Sequence, residues 1–133
     1  MNGKRFFCSD GCGLMASNSI IWFLRSVERE IRRKTRDPKY ELIVTSTARC
    51  PKQNKKVGGK RNSAHILSIA ADIKYQNNFI KFIIIKHLLW LGVERVGISK
   101  RKKFIHFDLG AGIKLAYPTK YMKVYPSPRL WDY

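Results

Sequence analysis

Residues 58–75 read GGKRNSAHILSIAADIKY. A glycine pair and a basic, polar run give way to a short apolar stretch, AADI, that carries an aspartate. His65 is one of three histidines in the chain, and Asp72 is one of nine acids set against 27 lysines and arginines. An acid at that place has two readings. It is a solvated strand end, or it is a metal ligand partnered by His65 and a third residue elsewhere. A short strand is expected around Ala70 to Lys74. The polar, basic segment 47–64 before it predicts a long loop, and loops of that length in compact domains tend to carry function.

Working outward, Ser17 or Asn18 can cap a helix through IIWFLRSVEREIRRK. Ile20, Ile21, Phe23, Leu24, Val27 and Ile31 recur there at helical spacing, and Asp37-Pro38 ends it. YELIVTS, residues 40–46, reads as a strand. Asn77 or Asn78 can cap a second helix that stops before Gly92. Phe82, His87 and Trp90 in that helix are expected to be structural, with Phe82 and Trp90 in the core. VERVGIS and KFIHFDLG then read as two strands. The tail from Leu115 to Tyr133 holds three prolines and four tyrosines, and it is expected to wrap the surface and pack its aromatics. The order predicts an α+β fold, helices packed on a mostly antiparallel sheet. One domain is expected over 1–133, with its core at about 6–112 and a tail at 113–133.

The net charge of +18 predicts attraction to a polyanion: nucleic acid, anionic lipid or an anionic cell-wall polymer. The bases cluster at Arg29–Arg36, Lys52–Arg61 and Lys100–Lys103 without forming one basic arm. The opening MNGKRFFCSDGCGL lacks an apolar core for a signal peptide, so synthesis in the cytoplasm is expected. FIKFIIIKHLLWLGV is interrupted by Lys81, Lys86 and His87 and falls short of the roughly 20 apolar residues a bilayer needs. Three cysteines, Cys8, Cys12 and Cys50, are an odd number for a disulfide framework. Cys8 and Cys12 with a third cysteine could bind zinc, but buried or surface thiols are the preferred reading, since structural zinc sites usually show four ligands at tighter paired spacing.

In FIHFDLG, residues 104–110, strand alternation puts Phe104, His106 and Asp108 on one face and Ile105, Phe107 and Leu109 on the other. His65, Asp72 and His106 together would supply two imidazoles and a carboxylate, the three-ligand pattern of a catalytic zinc with one open position. Taken singly, such spacings occur often by chance.

In order along the chain, FFCSDGCG, STARCPKQNKKVGG, NSAHILSIAADI and KFIHFDLG resemble the zinc D-Ala-D-Ala carboxypeptidase and L-alanyl-D-glutamate endopeptidase family, metallopeptidase family fifteen, in its small phage and bacterial branch. The resemblance covers about residues 6–112. It implies the fold shared with the hedgehog signalling domain. It also implies a zinc-dependent peptidase of peptidoglycan stem peptides, with zinc-bound water as nucleophile. Carried over by position, His65, Asp72 and His106 would be the Zn2+ ligands. Arg49 would bind substrate or face the oxyanion, its planar donors suiting a carboxylate or carbonyl. Ser63 would hydrogen-bond near the site or serve as a turn residue.

The sequence departs from the family pattern in several places. Lys103 stands where members carry a general-base acid. Asp108 is the natural substitute as base, or else it orients a histidine. Glu94 is a reserve acid. STAR replaces a glycine- and tyrosine-containing segment, and Ser68 stands where glycine is common. The implied partners are peptidoglycan peptides and anionic wall polymers, acting on the wall from a phage-encoded, monomeric protein. A degenerate zinc- and wall-binding protein, or a basic nucleic-acid-binding domain, is the alternative, although no helix-turn-helix, RNP pair or C2H2 finger is present.

Overall fold

The computed structural model describes residues 3–110 and 129–133. A 3-10 turn at Gly3–Phe6 precedes α1 (Asn18–Thr35), β1 (Ile43–Ser46), α2 (Pro51–Lys56), a second 3-10 turn at Ala64–Leu67, β2 (Ala70–Lys74), α3 (Asn78–Trp90), β3 (Arg95–Ser99), β4 (Phe104–Asp108) and β5 (Arg129–Asp132). The sheet runs β1-β2-β4-β3-β5. Its neighbours are antiparallel except for the parallel pair β3–β5. This is the expected α+β class, helices on a mostly antiparallel sheet.

Local chemistry sets the helix ends. Ser17, of the two residues able to cap α1, accepts a hydrogen bond from the Ile20 amide, and Arg36 closes the other end in the left-handed conformation. Asn77 caps α3 through the Ile80 amide. Ile20, Leu24, Val27 and Ile31 of α1 meet Ile80, Ile83, Ile84 and Leu88 of α3, and both rows pack on Val44, Ala71, Ile73, Val96, Ile105 and Phe107 of the sheet. Glu28 is buried in α1, accepts from the Leu42 amide at 2.9 Å, and so ties the helix to the chain entering β1.

Two expectations need correction. The segment 47–64 is not all loop. Pro51 sits in the first turn of α2, where its missing amide hydrogen costs nothing, and Cys50 caps it. Phe82 and Trp90 are not in the core: they are 61% and 78% exposed. α3 carries apolar residues on more than one face, and only one of its faces meets the sheet and α1. His87 does play a structural part, its Nε2 lying 2.9 Å from Ser26 Oγ of α1. Of the expected tail, residues 113–128 lie outside the described residues, while 129–132 form the edge strand β5. Among the described residues no helix is long and apolar enough to cross a membrane.

Phe107 is fully buried at the centre of β4, against the helices. Phe107→Ala is expected to cost about 3–5 kcal/mol of stability, read as a lowered urea midpoint with an unchanged denaturant slope.

Candidate metal centre

The sheet face opposite the helices carries polar residues. Asp72 of β2 pairs directly with His106 of β4, His106 pairs with Gly97 of β3, and Gly97 pairs with Trp131 of β5. Ser46 of β1 completes a row across all five strands. Strand alternation alone selects this row, because Ile73, Ile105 and Phe107 take the opposite face into the core. Gly97 is the small member. A Cβ there would collide with the Trp131 indole, so only glycine leaves room for that ring to lie across β3. The indole centroid is then 5.5 Å from the His106 ring.

His65 reaches the row from the second 3-10 turn, whose first amides are capped by Ser63 Oγ. It is 2% exposed. Its Nδ1 contacts the Thr47 carbonyl, an acceptor only, so Nδ1 carries the proton. The lone pair of a neutral His65 is therefore on Nε2, which faces Asp72 Oδ2 at 3.3 Å. On the other side His106 Nδ1 lies 2.9 Å from Asp72 Oδ1. One ligand atom from each of His65, Asp72 and His106 lies within 4.8 Å of the others.

The second nitrogen of His106, Nε2, lies 2.9 Å from Asp108 Oδ2. Asp108 Oδ1 in turn accepts from Arg95 Nε at 2.7 Å and from the Gly110 amide at 3.0 Å. Both oxygens of this buried carboxylate are thus committed. Burial alone would lower the His106 pKa, but the hydrogen bonds with Asp108 and Asp72 outweigh it and raise it to about 9. Burial would raise Asp72, yet the neighbouring His65 and His106 hold it well below the usual carboxylate range. Asp108 follows the same pattern, lowered by His106 and Arg95 against its own burial. The centre is therefore a cradle that sets two carboxylates, Asp72 and Asp108, around the His106 imidazole, with Arg95 neutralising Asp108 from outside. A divalent ion could take over the positive charge of that imidazole.

The donor set fits zinc: two imidazoles and one carboxylate, with a histidine tautomer fixed by a backbone carbonyl.

Arg49 stands beside this cradle. Its amide donates to the His65 carbonyl at 3.0 Å, and its Nη2 donates to Ser63 Oγ at 3.3 Å. Its Nε is buried without a hydrogen-bond partner. Burial lowers the Arg49 pKa, and the nearby Asp72 opposes that shift. Ser63 thus has two contacts, capping the turn that carries His65 and receiving Arg49. Lys103 is exposed in the turn between β3 and β4, with positive φ. Glu94 is exposed ahead of β3, and its carbonyl accepts from the Arg129 amide. Ser68 adopts φ of 61°, a left-handed conformation in which glycine is at ease.

Four participants were not anticipated from the sequence. Thr47 acts through its backbone carbonyl, which no side-chain motif announces. Arg95 shares a strand face with Gly97, a signal that alternation within VERVGIS carries. Trp131 and Tyr133 come from the tail, with the Tyr133 ring 6.4 Å from His106.

The sequence profile of the family described as Peptidase M15 matches residues 10–108. No curated protein and no solved structure matches the chain.

Proposed function

The chain belongs to the peptidase M15 family, and from that premise we propose that it is a zinc-dependent peptidase of peptidoglycan stem peptides. The convergence of His65 Nε2, Asp72 and His106 Nδ1 carries the reading. A zinc ion held by these three would polarise a substrate carbonyl and make water acidic enough to attack near neutral pH.

The chain's own residues do the rest. Thr47 keeps the proton of His65 on Nδ1 and so presents Nε2. Asp108 accepts from His106 Nε2, so the proton that an ion would displace is the one on Nδ1, the nitrogen aimed at the cradle. We assign Asp108 this positioning role ahead of general base, because its oxygens are already shared among His106, Arg95 and Gly110. Arg49 brings a planar guanidinium beside the cradle, a group suited to a peptide carbonyl or a stem-peptide carboxylate. Trp131 and Tyr133 supply an aromatic wall beside His106. The +18 charge would concentrate the protein on anionic wall polymers.

A second reading, binding of zinc and wall without cleavage, draws on Lys103. All nine acids of the chain are among the described residues, and Asp72 and Asp108 are the two carboxylates at the centre. The test is to incubate the zinc-loaded full chain with purified peptidoglycan and to analyse the products by mass spectrometry. Release of free D-alanine identifies a carboxypeptidase. A new D-glutamate amino terminus identifies an endopeptidase. Bound zinc with every stem-peptide bond intact overturns the peptidase assignment in favour of the second reading.

A further inference from the structure

The three cysteines gather at one place on the opposite flank of Arg49. Cys8 and Cys12 belong to a hairpin-like loop closed by the Phe7–Met15 bridge and by the Cys8 amide on the Leu14 carbonyl, 2.8 Å. Gly11 and Gly13, with φ of 77° and 87°, turn the loop back on itself. Cys50 caps α2. Cys8 Sγ and Cys50 Sγ are 3.9 Å apart, and Cys50 Sγ is 2.8 Å from Asp10 Oδ2. One ligand atom from each of Cys8, Asp10, Cys12 and Cys50 lies within 4.8 Å of the other three. The three thiols are free, as expected, and they stand with Asp10 in a four-membered cluster.

We propose that Cys8, Asp10, Cys12 and Cys50 bind a second, structural zinc ion. Four ligands without an open position suit a closed tetrahedral site. Zinc–sulfur bonds of about 2.3 Å at tetrahedral angles put neighbouring sulfurs about 3.8 Å apart, which matches the Cys8–Cys50 separation of 3.9 Å. A disulfide would need about 2.05 Å and would leave the third thiol over. Three sulfur donors favour zinc among the common divalent ions over magnesium or calcium.

Two backbone amides face the sulfurs. The Cys50 amide points at Cys8 Sγ, 3.4 Å, and the Gln53 amide at Cys50 Sγ, 3.4 Å. The Cys12 amide holds Asp10 through its other oxygen at 2.9 Å. Asp10 and Cys12 are exposed, which gives an ion a way in, while Cys8 is buried. The ion would clamp the amino-terminal loop to the residue that directly follows Arg49. It would thereby fix the backbone from Thr47 to Cys50, which carries both the His65 acceptor and the substrate-facing guanidinium.

The experiment counts zinc by mass spectrometry in the reduced full chain. Wild type is expected to hold two equivalents, His65→Ala one, and Cys12→Ser one. In cobalt-loaded His65→Ala, an intense near-ultraviolet thiolate-to-cobalt band is expected, and it should vanish in His65→Ala combined with Cys50→Ser. Should the cysteine variants fail to fold, wild type alone decides. Its thiols should react with a thiol reagent at least about tenfold faster once a chelator is added. A single zinc that His65→Ala removes entirely, or thiols whose reactivity the chelator leaves unchanged, would overturn the proposal. So would a Cys8–Cys50 disulfide in protein purified under reducing conditions.

Discussion

His65→Ala is expected to strip the ion from the His65–Asp72–His106 centre and to lower stem-peptide hydrolysis by at least about a thousandfold, because water loses the activation that moves its pKa from roughly 16 to roughly 7. His65 is the member of the centre with the most rigid support: it is buried, its amide is capped by Ser63 and its ring is locked by the Thr47 carbonyl. Removing it leaves one imidazole and one carboxylate. Far-ultraviolet dichroism and a urea melt separate loss of the centre from loss of the fold. His65→Gln, which fills more of the space, should keep the fold and still lose metal and turnover. Retained activity in either variant would mean that the reaction does not run through this cradle.

The second large effect is expected for Asp108→Asn. The carboxylate accepts three hydrogen bonds through two oxygens, from Arg95 and Gly110 on one and from His106 on the other. An asparagine can keep its oxygen towards Arg95 and Gly110. Its amide nitrogen then faces His106 Nε2, and two N–H groups cannot share that contact. His106 must take the other tautomer, with its proton on Nδ1, the atom that faces Asp72. Metal affinity should fall by about 10- to 100-fold, with turnover falling in parallel at limiting zinc. The two roles of Asp108 separate on this variant. A positioning residue loses metal and activity together, and excess zinc restores part of the activity. A general base loses turnover while the ion stays bound, and added zinc restores nothing.

Much of this was legible in the sequence where side-chain identity and spacing carry the signal. Ser17 and Asn77 mark helix starts because a cap needs a short side-chain acceptor. The alternation of FIHFDLG put His106 and Asp108 on one face, and that is where they lie. The cluster of Cys8, Cys12 and Cys50 was legible only as the less favoured of two readings, because loop closure and not sequence distance brings Cys50 to the other two. Thr47 could not be read because its contribution is a carbonyl that every residue possesses. Phe82 and Trp90 misled because hydrophobicity records a tendency to be buried, and α3 has more apolar surface than the sheet and α1 can cover. Trp131 was legible only as an aromatic in the tail. Its place over β3 depends on the missing side chain of Gly97, and that depends on which strands become neighbours.

The direct pairing of Asp72 with His106 also bears on kinetics. The two residues are 34 positions apart and meet only when β2 docks on β4. An early, partly collapsed chain therefore has no assembled cradle, and an ion that prefers the finished register cannot guide the first contacts. A bound ion would stabilise the native state chiefly after the barrier has been crossed. It would act as a latch on the closed sheet, slowing its opening and lengthening the lifetime of the folded chain while leaving the speed of folding nearly as it was.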